Sequence, residues 1–332
     1  MKRFMALAIA ITFLFEPNIT WAAPTVSAAQ KEVDRLRTLA AEKYEAANEA
    51  TIRIAALERD TQSLRQQESS VIADLVEANK VLGRIAVQSY QSSGFGKGLE
   101  LLLSSDPTRY LADASLLDVV GTRYSTEIRK YMQAKQRVQS SQLVIADRLT
   151  LVKAEKTKLN REVVAAKNAL NKATKILNSL KKEDRERLLK DESKRESKIL
   201  RDSQKYAASF VGDNSRSSIA LKYALNQIGD IYVWAAAGPT RWDCSGLTMR
   251  AYQEAGVALP HSSRIQIKYG KPIAFGSVKP GDLLFFGKPI SHVSMYMGGG
   301  KMVQAPRPGK KVEVVPFTKM FGRKPFVGAR RL

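Results

Sequence analysis

The chain has 332 residues, 44% of them hydrophobic and 26% charged, and a formal net charge of +22. This length suffices for two domains with buried cores, and the apolar content excludes a wholly disordered polyelectrolyte. The charge indicates an anionic partner or surface without identifying it. Because the sequence has 1 cysteine and 2 histidines, it can form neither an internal disulfide nor a structural zinc finger. Cysteine or histidine chemistry must use Cys244, His261 or His292.

The first residues have the layout of a secretory signal peptide. Met1-Lys2-Arg3 is a basic start, and the apolar run over residues 4–15 is too short to span a bilayer. Small residues come next, so we predict a signal peptide over residues 1–28 with cleavage after Ala22 or Ala28. A retained membrane anchor is the less favoured alternative. We therefore expect a secreted protein, in which an odd cysteine is either an intermolecular bridge or a reactive thiol.

Two long segments follow a seven-residue repeat. In the first, Val33 to Ile85, the a and d positions are apolar except at Lys43, Thr61 and Glu68. In the second, Tyr124 to Leu180, the exceptions are Lys135, Gln142 and Lys156. Heptads sustained over this length and flanked by charged residues predict coiled-coil helices.

The segment between the two repeats interrupts the helix. Several glycines and Pro107 lie there, together with four leucines, Leu99, Leu101, Leu102 and Leu103. We predict that the two repeats fold back as an antiparallel hairpin over residues 29–205, with the leucines at its tip. The heptads alone do not exclude a dimeric coiled coil.

Beyond a predicted linker at residues 206–217 the sequence changes to short segments with frequent glycine and proline, which predict a second domain over residues 218–332. More than half of the net charge lies in this part of the chain. Helical spacing precedes five predicted strands, at residues 282–286, 292–297, 301–304, 312–315 and 326–330. This order predicts an α+β domain preceded by the all-α hairpin.

The rare residues of the second domain form a candidate nucleophile and base. Cys244 lies in the first turn of a predicted helix, whose N-terminus favours the reactive thiolate. His292 opens a strand and can accept the thiol proton and later protonate a leaving amine. Gln304, on the next strand, is placed to orient the imidazole. The alternatives are that Cys244 is a buried small apolar residue and His292 a structural histidine.

Five short pieces follow one another within residues 226–306: Tyr232-Val-Trp234, Asp243-Cys-Ser-Gly-Leu247, Leu259-Pro-His-Ser-Ser263, Pro280-Gly-Asp-Leu-Leu-Phe-Phe286 and Ser291-His-Val293. In this order they resemble the NlpC family of cell-wall cysteine peptidases, which have a papain-like fold. The preceding part of the chain is similar to the coiled-coil hairpins of secreted peptidoglycan hydrolases.

The resemblance implies a catalytic role for three positions. Cys244 corresponds to the nucleophile, His292 to the base, and Gln304 to a third polar residue that is more often histidine. The implied reaction is hydrolysis of the bond between D-γ-glutamyl and the diamino acid of peptidoglycan stem peptides. It requires no metal or other cofactor.

The resemblance also implies contacts with substrate. Tyr232 corresponds to a tyrosine that lines the cleft near the oxyanion, and Asp243 and Ser245 correspond to residues that contact the stem peptide. His261 either touches substrate or is a structural loop histidine. The chain departs from the family at Ala235-Ala236-Ala237, where a glycine pair is usual, and methyl groups there would narrow the cleft.

The sequence therefore predicts a secreted, cell-wall associated peptidoglycan endopeptidase that acts in wall remodelling or cell separation. Its expected partners are stem peptides, anionic wall polymers, and a membrane or divisome regulator that acts through the coiled coil. We also hypothesise that the helices cover the cleft until such a partner moves them. The alternative function is a wall-binding scaffold with a degenerate peptidase fold. A nucleic-acid binder, suggested by charge alone, is disfavoured by the signal peptide and the Cys-His pair.

Overall fold

The computed structural model describes residues 25–92 and 107–332 of the chain. Most of the predicted signal peptide and the predicted tip leucines lie outside the described residues. The described chain begins with three helices, α1 (Val26–Ser92), α2 (Pro107–Ser179) and α3 (Lys182–Ala208). Within the described ranges, none of the helices combines the length and the apolar character that crossing a bilayer requires.

The first two helices pair in opposite directions within one chain. In the described residues five ion pairs join them, Lys43–Glu162, Arg53–Glu155, Glu58–Lys156, Asp60–Arg148 and Asp74–Arg137, and from the first of these pairs to the last the numbers rise in α1 while they fall in α2. Near the open end of the pair, Val33, Leu36 and Tyr44 of α1 form a buried cluster with alanines of α2, at Ala166, Ala169 and Ala173. These small side chains let the two helix axes approach closely.

The C-terminal domain begins with helices. The hydroxyl of Ser215 accepts a hydrogen bond from the backbone N–H of Ser218 and so caps the first of them. The helices are α4 (Arg216–Leu225), α5 (Cys244–Glu254) and α6 (Ser263–Gln266). Between α4 and α5, strands β1 (Ile231–Tyr232) and β2 (Arg241–Trp242) form a short parallel pair.

An antiparallel sheet follows the helices. Its strands are β3 (Lys271–Ile273), β4 (Leu283–Phe286), β5 (His292–Gly298), β6 (Lys301–Gln304), β7 (Glu313–Pro316), β8 (Met320–Phe321) and β9 (Lys324–Arg331). Their order is β3-β9-β4-β5-β6-β7, with β8 paired to β9. The predicted fold class, an α+β domain preceded by long antiparallel helices, is confirmed. The sequence does not predict β1, β2, β3 and β8, because two or three residues are too few to show alternation.

Strand β4 is buried on both faces, which explains its uninterrupted apolar sequence. Leu283 and Phe285 belong to the core cluster that includes residues of α4 and α5. Leu284 and Phe286 belong to a second cluster on the other face of the sheet. The first cluster also contains Val293, so the same core packs α5 against β5 and fixes their relative positions.

A glycine close to α4 provides a test of this packing. Gly281 has a φ of +93°, and a Cβ there would lie 2.4 Å from the Cβ of Ser217. We predict that Gly281→Ala lowers the free energy of unfolding by about 2–4 kcal/mol, because both the backbone and the contact become strained. Gly276→Ala is the matched control, since nothing lies within 4 Å of its added Cβ. Urea unfolding should show a change of no more than about 0.5 kcal/mol for that control; equal effects of the two variants would contradict the prediction.

Candidate active site

Cys244 is the first residue of α5, and Asp243 caps that helix. Oδ1 of Asp243 accepts a hydrogen bond from the backbone N–H of Gly246 at 2.7 Å. The position of Gly246 requires glycine, because a Cβ there would lie 2.3 Å from the carbonyl oxygen of Ala236. The cap therefore holds the Cys244 side chain at the positive end of the helix dipole.

Three side chains on neighbouring strands form a hydrogen-bonded series. His292 begins β5, Gln304 ends β6 and Glu313 begins β7. Nε2 of His292 lies 2.7 Å from Oε1 of Gln304, and Nε2 of Gln304 donates to Oε1 of Glu313 at 3.2 Å. Because the amide nitrogen is directed at Glu313, the amide oxygen faces the imidazole and accepts the proton of its Nε2. Nδ1 of His292 is then the nitrogen that can accept a further proton.

Cys244 contacts the strand that carries His292. Cys244 and Val293, the residue after His292, belong to the same buried core cluster. The imidazole of His292 stacks on the ring of Phe321, with the ring centroids 4.5 Å apart. The start of α5 thus meets the start of β5, and the chain brings the predicted nucleophile beside the residue that follows the predicted base.

The predicted substrate contacts lie around the same cysteine. The hydroxyl of Ser245 is 3.3 Å from Oδ1 of Asp243. Tyr232 is buried, and its pKa is raised by burial and by the neighbouring Cys244. Nε2 of His261 lies 2.7 Å from Oδ1 of Asp243. Burial lowers the pKa of His261, but the hydrogen bond and the charge of Asp243 outweigh burial and raise it. The predicted site residues therefore come together, while their individual roles stay predictions.

Part of α1 lies inside this site. The sequence leads to the hypothesis that the helices cover the cleft, but it does not indicate which residues would do so. The carboxylate of Glu45 is buried and accepts hydrogen bonds from the backbone N–H of Ser263 and from Oγ of Ser245, the latter at 3.2 Å. Sγ of Cys244 lies 3.7 Å from Oε2 of Glu45. The heptad repeat places Glu45 outside the a and d positions, on the face that a coiled coil exposes to solvent. It is therefore the fold of the C-terminal domain against α1 that buries this carboxylate.

One feature of the sequence could have indicated this second packing face. Ala41, Tyr44 and Ala46 lie outside the a and d positions but are buried. The ring of Tyr44 stacks on Trp234, with centroids 4.5 Å apart and an angle of 12° between the planes. A helix with apolar residues on two faces has two packing partners. For α1 these are α2 and the C-terminal domain.

Sequence analysis also misses two basic residues of the site, Lys324 and Arg264, because neither belongs to one of the five motif pieces. Nζ of Lys324 lies 3.8 Å from Oε1 of Glu42 and 3.3 Å from the carbonyl oxygen of Ser291, and burial lowers its pKa. A guanidinium nitrogen of Arg264 lies 3.1 Å from Oε2 of Glu49. Both cations therefore pair with carboxylates of α1.

The electrostatics of the site keep the two predicted reacting groups neutral. Burial, and next the carboxylates of Glu45 and Asp243, raise the pKa of Cys244 well above its ordinary value. Burial, and next the charge of Lys324, lower the pKa of His292 to about 3. In this arrangement the pair is a thiol and an imidazole. Removal of the Glu45 carboxylate would favour the thiolate.

Among residues 25–92 and 107–332, no group of three or more His, Cys, Asp or Glu side chains is arranged to hold a metal ion. A cysteine at the start of a helix, packed against an antiparallel sheet whose histidine bonds to an amide on the next strand, is typical of papain-like cysteine peptidases. The sequence model of the NlpC/P60 family matches residues 229–331. This part of the chain is an NlpC/P60 domain.

Curated proteins of three kinds are similar to this domain. A probable endopeptidase of Mycobacterium tuberculosis is 42% identical over 36% of this chain and 30% of its own length. The gamma-D-glutamyl-L-lysine dipeptidyl-peptidase of Bacillus subtilis is 36% identical over 31% of this chain and 37% of its own. The peptidoglycan endopeptidase RipA of M. tuberculosis is 35% identical over 33% of this chain and 26% of its own. The chain thus spans well under half the length of these relatives.

The lowered pKa of His292 predicts how stability depends on pH. The unfolded histidine takes up a proton as pH falls below 6.5, whereas the folded one stays neutral until about pH 3. The stabilisation is therefore complete above pH 6.5 and is lost as pH falls towards 3, with a slope of up to about 1.4 kcal/mol per pH unit. Denaturant unfolding of the chain and of His292→Gln between pH 7.5 and 4.5 measures this contribution. The wild-type curve should fall more steeply; parallel curves would show that His292 contributes nothing.

Proposed function

We propose that the protein is a secreted peptidoglycan endopeptidase that hydrolyses the D-γ-glutamyl–diamino acid bond of stem peptides during wall remodelling or cell separation. The observation that carries the proposal is that Cys244, at the N-terminus of α5, packs in one core cluster with Val293, the residue after His292, and that His292 bonds to Gln304 within an NlpC/P60 domain. The names of the similar curated proteins support a peptidoglycan substrate, and the name of the B. subtilis relative supports the γ-glutamyl bond.

The reaction begins with proton transfer from the Cys244 thiol to Nδ1 of His292. The sulfur attacks the carbonyl carbon of the amide, and a backbone N–H close to Cys244 stabilises the resulting oxyanion. The intermediate collapses to a thioester while the imidazolium gives its proton to the leaving amine. Water, deprotonated by His292, then attacks the thioester, releasing the carboxylic acid and regenerating the thiol. Gln304 holds the imidazole in the required orientation throughout.

The proposed location and partners are supported by features outside the peptidase site. The formal charge of +22 suits attraction to anionic wall polymers. The predicted signal peptide supports export, and the long α1–α2 pair offers a surface for a membrane or divisome regulator. A non-catalytic wall-binding scaffold is the second candidate, favoured by the neutral Gln304 at a position where relatives more often have histidine. The bond from Gln304 to Glu313 argues for the enzyme, because it directs the amide oxygen at the base.

Product analysis separates the two candidates. Residues 182–332 lack α1 and α2 but retain the core of the C-terminal domain. Mass spectrometry of muropeptides incubated with this fragment should show release of the γ-glutamyl-terminated product, and with Cys244→Ala no product, because the nucleophile is absent. Circular dichroism establishes that both fragments are folded. A folded wild-type fragment that releases nothing from several wall types would exclude the peptidase function.

The role of Gln304 predicts a separate kinetic effect. In the same fragment, Gln304→Ala should lower kcat about tenfold or more with little change in KM, because the imidazole loses the acceptor that orients it. Gln304→His keeps a hydrogen-bonding ring at this position and should retain most of the activity. The expectation fails if Gln304→Ala has the kcat of the wild type or if the loss appears in KM alone.

A further inference from the structure

Gln304 and Glu313 lie opposite each other on β6 and β7. The register between these strands pairs the two residues directly. Met302 and Val315, the pair two positions away, lie on the same face of the sheet and pack in its apolar cluster. Gln304 is 1% exposed, so the polar pair continues a row of apolar pairs up to the position of His292. Buried polar groups at such a place require hydrogen-bonding partners.

The surroundings of His292 fix the plane of its ring without deciding which nitrogen carries the proton. The ring stacks on Phe321 with an angle of 17° between the planes. A neutral imidazole has one donor and one acceptor nitrogen, and the partner of either nitrogen determines which is which. That partner is Gln304, at 2.7 Å from Nε2. The tautomer of His292 therefore depends on which end of the amide faces Nε2.

The Gln304 amide could present either end to the ring. Rotation by half a turn about its last side-chain bond exchanges the oxygen and the NH2 group with almost no change in volume. With the oxygen towards His292, Nε2 carries the proton and Nδ1 is free to accept the thiol proton of Cys244. With the NH2 group towards His292, Nε2 becomes the acceptor and Nδ1 carries the proton. The second arrangement removes the base that the proposed reaction requires.

The carboxylate of Glu313 distinguishes the two orientations. An ionised carboxylate accepts hydrogen bonds and donates none, so it attracts the NH2 group and repels the oxygen. Nε2 of Gln304 donates to Oε1 of Glu313 at 3.2 Å. Burial raises the pKa of Glu313, whereas the bond from Gln304 and the charges of Lys310 and Arg307 lower it and favour the ionised form. Loss of a hydrogen bond to a charged group shifts an equilibrium by about tenfold or more.

We infer that Glu313 is a positioning residue of the proposed peptidase, which selects through the Gln304 amide the nitrogen of His292 that carries the proton. The inference rests on the proposed function for its consequence in catalysis, while the selection of the tautomer is a property of the fold. It also gives a reason why glutamine can serve at position 304, where the resemblance implies histidine more often. An acceptor on the next strand holds the amide in one orientation.

Histidine NMR of the full chain tests this selection without reference to peptidase activity. The sequence has 2 histidines, and comparison with His292→Gln identifies the signals of His292. The nitrogen shifts of the ring show which nitrogen carries the proton. The wild type should show one tautomer, with the proton on Nε2. Glu313→Gln keeps the volume but leaves two neighbouring amides, either of which can donate, so the two tautomers should have comparable populations.

Exchange of the two side chains, Gln304→Glu with Glu313→Gln, is the rescue variant. A carboxylate at position 304 accepts only, so Nε2 should again be protonated throughout the sample. Glu254→Gln is the matched control, because Glu254 is exposed at the end of α5, and it should keep the wild-type signals. The inference is overturned if Glu313→Gln shows the wild-type tautomer alone. It is also overturned if the exchange fails to restore that state, because the loss would then reflect packing.

Muropeptide cleavage by the same variants, in the full chain and in the 182–332 fragment, separates this inference from the proposed function. The kcat of Glu313→Gln should fall in proportion to the fraction of His292 that is protonated on Nε2, about twofold for comparable populations, with KM unchanged. An unchanged kcat despite the shift in tautomer overturns the positioning role. The expected shift without cleavage by any variant or by the wild type supports the selection by Glu313 and rejects the peptidase.

Discussion

The carboxylate of Asp243 is the interaction on which the site depends. Oδ1 accepts the backbone N–H of Gly246 and lies beside the His261 ring, while Oδ2 accepts the backbone N–H of Ala235 at 2.8 Å and the amide of Asn48. One buried anion thus caps the nucleophile helix, holds the preceding loop and binds α1. A buried carboxylate is stable only when its oxygens are hydrogen-bonded. The buried position of Asp243 therefore depends on the nucleophile helix, the preceding loop and α1 together.

The hydrogen bonds of Asp243 also hold an unfavourable backbone conformation at Ala235. Its φ of +57° lies in the left-handed region, where a residue with a Cβ is disfavoured. From the resemblance to the family, the methyl groups of Ala235-Ala236-Ala237 are expected to narrow the cleft. The structure adds that the first of them gives its backbone N–H to Asp243, so the bond to the helix cap maintains an unfavourable backbone conformation. Strain of this kind persists when surrounding contacts over-determine it.

The same groups that would perform catalysis also contact α1. Ser245 and Cys244 contact Glu45, and Asp243 contacts Asn48. Burial raises the pKa of the Cys244 thiol and lowers the pKa of the His292 imidazole, which stabilises the neutral pair. The polar side chains of the proposed site are therefore also the ones that bind α1.

The sequence predicts the local features of the site, because these features depend on neighbouring residues. The helix whose first turn holds Cys244, the strand that begins at His292 and the placement of Gln304 on the next strand all follow from short-range pattern and hairpin geometry. Glu313 was not identified, although it lies on the strand next to Gln304. The register between β6 and β7 places Glu313 opposite Gln304, and the residues alone do not specify that register.

What the sequence determined by itself is the division into an all-α part and an α+β part and the identity of the rare reactive residues. Heptad spacing, strand alternation and the scarcity of cysteine and histidine are properties of the linear chain. Only the tertiary structure decided that Glu45 lies against Cys244, because the two are 199 positions apart and on elements with separate patterns. A contact of that kind arises from the packing of two folded surfaces, and the repeat that formed α1 would have placed the same carboxylate in water.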